Sequence, residues 1–192
     1  VWLTQDQGVW NTQEADLLHL DSHGWIESLP NRQSKIQYRE VGTLIFREHN
    51  SYLPGRYIVL YDGEGNLDYG FDGQKQSSLS TPGRDVVEVA QTSKQGLWLR
   101  VTATDPQQTG DYIRNIQIVP EAYEAIADQE IFNPEFLAKI EPFGTLRFMD
   151  WQQTNNSRQS EWSDRPEPED ARYYEQGVPV ETMVQLANQT NS

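Results

Sequence analysis

The stretch "GLWLRVTATD", residues 96–105, decides the fold class. Leu97, Leu99, Val101 and Ala103 alternate with Trp98, Arg100, Thr102 and Thr104. Successive side chains of a β-strand point to opposite faces, so this period of two predicts a strand with one apolar and one polar face. Trp98 falls on the polar one. Working outward, "GTLIFRE" (42–48), "GRYIVLYDG" (55–63), "NLDYGF" (66–71), "DVVEVAQT" (85–92) and "YIRNIQIV" (112–119) also read as strands, by a period of two or by continuous β-branched content, separated by Gly, Pro and Asp. Many short strands with such punctuation predict a mainly β fold, an antiparallel β-sandwich of jelly-roll-like type, over residues 1–119. In "YDGEGNLDYG" (61–70), Gly63 and Gly65 are expected to close a hairpin, because glycine reaches the positive φ angles of tight turns.

After Pro120 the pattern changes. "PEAYEAIADQ" and "NPEFLAKIEPF" lose the period of two, and Asn133 is placed to cap a helix that starts at Pro134 and stops at Pro142. Residues 120–143 are therefore expected to be a helical connector. Residues 144–192 are expected to form an α/β appendage: a strand at "TLRFMDW" (145–151), a polar aromatic loop, and a helix opening near Pro179. In that helix Val180, Met183, Val184 and Ala187 make the apolar stripe.

The composition narrows the function classes. With 192 residues and 21 aromatics the chain can bury a sizeable core. A formal charge of −14 repels phosphate backbones and anionic lipid, and no Lys/Arg cluster offsets it, so nucleic acid is not an expected partner. No run of 18 apolar residues is present, which argues against a spanning helix, and no signal peptide is visible. The absence of cysteine removes disulfides and thiolate chemistry. Acidity with abundant Gln, Asn, Ser and Thr fits a secreted protein, and a start at Val1 without Met suggests a processed or trimmed terminus.

Several phrases in their order, "LDSHGWIESLP", "GRYIVLYDGEGNLDYG", "YIRNIQIV", "FNPEFLAKIEPFGTLRFMDW", "TNNS", "WSDRP" and "GVPVETMVQLAN", resemble a group of large extracellular bacterial proteins described as cellulose-binding or glycosidase-like. The resemblance implies a β-sandwich ahead of a (β/α) barrel, with "LRFMDW" as the first barrel strand and "VPVETMVQLAN" as the first barrel helix. A whole barrel takes ~250 residues, and barrel glycosidases draw their paired carboxylates from later strands. On that ground the chain is expected to lack catalysis of its own.

The candidate binding residues lie mostly in the loop after residue 149: Asp150, Trp151, Asn155, Asn156, Trp162 and Arg165, with Glu161 and Asp164 among them. Sugars lay apolar C–H faces on aromatic rings while amides, carboxylates and guanidinium groups bond their hydroxyls, and the loop offers both kinds of group. The competing reading has Trp151 and Trp162 packing the loop down and Arg165 paired to a carboxylate. Trp98 is a further sugar platform, unless the C-terminal helices cover it. Asp62, Glu64, Asn66 and Asp68 alternate like the start of a calcium loop, but Leu67 and Gly73 stand where such a loop needs Gly and Glu. A structural calcium held by other oxygens is compatible with the charge. His19, Asp21 and His23 would share one face of an extended segment, yet no fourth zinc ligand is evident and His49 is remote. No cofactor is expected.

The expectation is thus an extracellular carbohydrate-binding module for cellulose-like polysaccharide. One alternative is the N-terminal part of a glycoside hydrolase whose carboxylates lie beyond this chain. Another is a structural or adhesive subunit that self-associates through its last helix and free strand edges.

Overall fold

A computed structural model describes residues 2–6, 8–48, 52–155, 157–174 and 176–192. The chain divides into two compact units, Val1–Glu124 and Ala125–Ser192. In chain order the strands are β1 (Leu3–Gln5), β2 (His19–Leu20), β3 (Ile26–Ser28), β4 (Glu40–Ile45), β5 (Gly55–Asp62), β6 (Gly65–Phe71), β7 (Gln74–Lys75), β8 (Arg84–Val89), β9 (Leu97–Thr104) and β10 (Arg114–Pro120). They build one four-stranded sheet in the order β1-β4-β9-β6, another in the order β10-β5-β8-β7, and the small pair β2-β3. Every ladder between these strands is antiparallel. From β4 to β7 each strand lies in the opposite sheet from its predecessor, and the alternation resumes from β8 to β10. This is the winding of a jelly-roll-like sandwich.

Alternation on β9 explains the core. Leu97, Leu99 and Val101 are buried beside Val41 of β4 and Leu67 and Tyr69 of β6, and the other sheet contributes Ile58, Val59, Val86, Val87 and Val89. Each fully buried aliphatic of this kind stabilises the fold by roughly 1.5–3 kcal/mol. The alternation ends at a register shift between Asn66 and Leu67 of β6, and there Thr104 turns inward instead of outward. Its hydroxyl donates to the Ile26 carbonyl at 3.0 Å and accepts from Ile113 N, which ties β9 to β3. Among the described residues the core also holds one carboxylate. Asp85, 2% exposed, accepts from the Tyr69 hydroxyl at 2.9 Å and from Lys75 Nζ at 2.6 Å.

The turn at Gly63 is a sheet-to-sheet corner and not a hairpin, because β5 and β6 lie in different sheets. Gly63 has φ +77, and a Cβ there would sit 2.0 Å from the Tyr112 carbonyl oxygen. Glycine is obligatory at that corner. The segment around His19, Asp21 and His23 is a turn rather than one extended face: the Asp21 side chain accepts from His23 N and Trp25 N, both at 2.9 Å.

The second unit is a small helical appendage. Helix α1 (Pro134–Ile140) starts where Asn133 accepts from Glu135 N, with Pro134 in its first turn. Helix α2 (Val180–Thr190) buries Met183 and Leu186, while Val184 stays 53% exposed. The buried stripe thus lies one position round from the expected one. The strand expected at 145–151 does not form: Leu146 and Phe148 are half-buried between exposed neighbours, but no strand pairs with them, and Asp150 takes φ +62. Alternation without a partner leaves the backbone groups unpaired and cannot hold a strand.

Two stability measurements follow from these contacts. Asp85→Ala strands the Tyr69 hydroxyl and the Lys75 ammonium, so a loss of about 3 kcal/mol is expected in urea denaturation; a change under about 1 kcal/mol would show that the pair is solvated. The phenol of Tyr112 is pushed up to about 12, first by its hydrogen bond to Asp21 and then by burial, and that of Tyr52 to about 12, by burial and by its bond to Asp72. Groups raised in the folded state contribute stability that is complete below the unfolded value of about 10 and is lost above it. Stability is therefore expected to fall between pH of about 10 and about 12, and Asp21→Asn should bring the tyrosinate absorbance step of Tyr112 to lower pH.

Candidate functional site

The polar loop of the second unit is closed by its backbone and by charged side chains, without a large apolar core. Gly177, at φ +88, passes so close to Trp151 that a Cβ would lie 2.4 Å from the Trp151 carbonyl oxygen, and that carbonyl accepts from Val178 N at 2.6 Å. One turn of 3-10 helix, Trp162–Asp164, is capped reciprocally by Glu161 and Asp164. The Asp164 carboxylate accepts from Glu161 N at 3.0 Å and from Ser160 N at 3.1 Å, and these backbone donors hold it below the usual carboxylate range. Glu161 and Asp164 are therefore loop-forming groups.

This folding creates a cleft of about 320 Å³ lined by residues that include Gln152, Gln159, Trp162, Arg165 and Gln176. Trp162 is 70% exposed, the most exposed large apolar side chain in the chain's described part. The Arg165 guanidinium lies over its ring, 4.3 Å from the centroid, a cation–π contact that fixes the indole plane. Arg165 is held in turn: Nε and Nη2 each lie 3.0 Å from Glu181 Oε1, and Nη1 is 3.4 Å from Glu167. The cation is thereby neutralised. Gln159 donates through Nε2 to the Gln176 carbonyl at 2.8 Å and Gln176 donates to the Asp164 carbonyl at 3.1 Å, which braces the cleft wall.

Of the loop residues expected at a site, the structure brings Trp162 and Arg165 together. Arg165 is also ion-paired, as the packing alternative requires. Trp151 does not line the cleft; it is half-buried and packs edge-on against Phe148, with centroids 5.2 Å apart. Asp150 and Asn155 are exposed beyond the cleft, joined by an Asn155 Nδ2 to Asp150 Oδ1 bond of 3.4 Å. Asn156 lies outside the described residues, as does His49. Gln152, Gln159 and Gln176 were not foreseen; their only signal is the glutamine-rich character of the segment.

Trp98 stands apart, in the first unit. Its indole lies on the outer face of the β1-β4-β9-β6 sheet across two glycines: a Cβ on Gly42 would be 2.6 Å from Nε1, and one on Gly70 2.9 Å from Cε3. The Arg100 guanidinium lies 4.4 Å from its centroid, and Trp10 and Phe71 flank it at 4.8 and 5.5 Å. Trp98 is thus covered from within its own unit and serves as a base under Trp10 and Phe71. Asp62, Glu64, Asn66 and Asp68 do not converge, since Asp62 accepts from Asn115 and Asp68 pairs with Arg100. Among the described residues no group of three His, Cys, Asp or Glu side chains is placed to hold a metal, and no helix is long and apolar enough to cross a membrane. No protein-family model, curated protein or solved structure matches the chain.

The Arg165 clamp carries a pH signature. The Glu181 carboxyl lies below the usual range through a hydrogen bond from its own backbone N–H and the Arg165 partnership, with burial pulling the other way. A depressed group contributes above its unfolded value of about 4.3 and loses that contribution as pH falls through the folded one. Acrylamide quenching of Trp162 is expected to be flat from neutral pH to about 4 and to rise below it. Glu181→Gln should remove that step.

Proposed function

We propose that the chain is a carbohydrate-binding module that acts outside the cell on neutral, β-glucan-like polysaccharide, without catalysis of its own. The observation that carries this reading is the exposed Trp162 indole, held flat by Arg165 at the rim of a cleft walled by glutamine amides. A pyranose ring pairs its apolar C–H face with an indole and its hydroxyls with amides and carbonyls. Neutrality follows from charge: Arg165 is matched by Glu181 and Glu167, Glu161 lines the same cleft, and the chain carries −14, so a uronate or phosphate would be repelled.

The test is isothermal titration with soluble mixed-linkage β-glucan and with cello-oligosaccharides, together with pull-down on insoluble cellulose. Trp162→Ala is expected to weaken binding by about tenfold, the equivalent of a contact of about 1.4 kcal/mol. Trp151→Ala, which removes a ring from outside the cleft, should leave the affinity of folded protein unchanged. Failure of the unmodified protein to bind any neutral glycan would remove the proposal.

A further inference from the structure

We infer that the first unit carries a second, separate saccharide surface along the outer face of its β1-β4-β9-β6 sheet, for an extended neutral glycan. It shares the ligand class of the proposed function and none of its residues. The surface has an aromatic end and a polar end. At the aromatic end Trp10 and Phe71 are 43% and 46% exposed, with ring centroids 5.6 Å apart. Trp10 is brought there by the turn after β1, in which Asp6 and Val9 pair, and is fastened by Gln5 Nε2 donating to the Trp10 carbonyl at 3.0 Å.

At the polar end lies a cleft of about 690 Å³, larger than that of the second unit, within the ~300–1,000 Å³ range of ligand sites. Its lining includes Asn31, Arg32, Arg39, Glu40 and Thr102. The two ends belong to one sheet face: Trp98, beneath the aromatic pair, and Thr102, in the cleft, are four residues apart on β9, about 13 Å at ~3.3 Å per residue. Arg100 stands between them, stacked on Trp98 and paired with Glu40 at 3.2 Å and with Asp68. The distance is that of a chain of several sugar rings rather than of one.

The chemistry of the cleft selects the occupant. Asp6 and Glu40 balance Arg32 and Arg39 around it, in a chain whose overall charge is −14, so the cleft is locally neutral. Arg39 is fixed by donating through Nη1 to the Ile36 and Tyr38 carbonyls, whereas Arg32 is exposed and makes no ion pair among the described residues. Asn31 uses its Oδ1 on Gln33 N. What remains toward solvent is a mixed set of donors and acceptors beside apolar Leu29 and Pro30, which suits hydroxyl groups on a ring and not a bare anion.

Calorimetric titration of the full chain with short cello-oligosaccharides tests this. Two oligosaccharides per chain are expected for the unmodified protein; Trp10→Ala and Trp162→Ala are each expected to weaken one of the two sites about tenfold and to leave the remaining one at full affinity. Arg32→Ala, at an exposed position that leaves the fold intact, is expected to weaken the remaining site of Trp162→Ala by about tenfold. A single site that Trp162→Ala weakens, with Trp10→Ala and Arg32→Ala silent, overturns the sheet-face site alone. A single site lost in Trp10→Ala and untouched in Trp162→Ala supports the sheet face and overturns the cleft of the second unit. No binding at all overturns both.

Discussion

A strand has two faces, and β9 buries one of them. Because alternate side chains must point to opposite sides, the burial of Leu97, Leu99 and Val101 forces Trp98 and Arg100 onto the outer face. Everything on that face is an answer to the problem this creates. A large indole and a guanidinium cannot simply be left above a sheet; they need flat ground and counter-charges. Gly42 and Gly70, which flank Trp98 on β4 and β6, supply the ground, and Glu40 and Asp68 from the same two strands supply the charge. The inner face makes the sandwich, and the outer face makes a surface with chemistry.

The second unit solves a different problem with fewer apolar groups. Its long loop has little to bury, so it is held by reciprocal capping at Glu161 and Asp164, by the close passage of Gly177 over Trp151, and by the Arg165 link to Glu181 on α2. Hydrogen bonds and ion pairs at a surface contribute modestly each. Their value here lies in position: they leave the Trp162 ring free while fixing its plane. Trp2 and Trp25, by contrast, are turned inward as packing.

Much of the sandwich was legible because its longer strands carry over six to eight residues either a period of two, as in β9, or a continuous β-branched run, as in β5 and β8. The short strands β1 and β7 were not, since two or three residues carry no period. Leu146 and Phe148 show the opposite failure: the pattern is present, but pairing is a property of two segments, and no second segment comes to them. In α2 the stripe was misplaced by one position because Val184 and Leu186 are both apolar, and only packing decides which is buried. At the candidate site, Trp162 and Arg165 were legible as residue types suited to a sugar. Their partnership with Glu181, and the part played by three scattered glutamines, depend on how the loop closes. Trp10 was invisible for the same reason, because its place rests on a tie to Gln5 across a turn.

The central claim is that the Trp162 indole is a sugar platform and not a structural plug. The most direct measurement follows the six tryptophan indole N–H resonances of isotope-labelled protein while cello-oligosaccharide is added. The account predicts that the Trp162 signal, assigned from its disappearance in Trp162→Phe, shifts saturably while those of buried Trp2 and Trp25 stay fixed. A Trp162 signal that does not move at saturating glycan would contradict it.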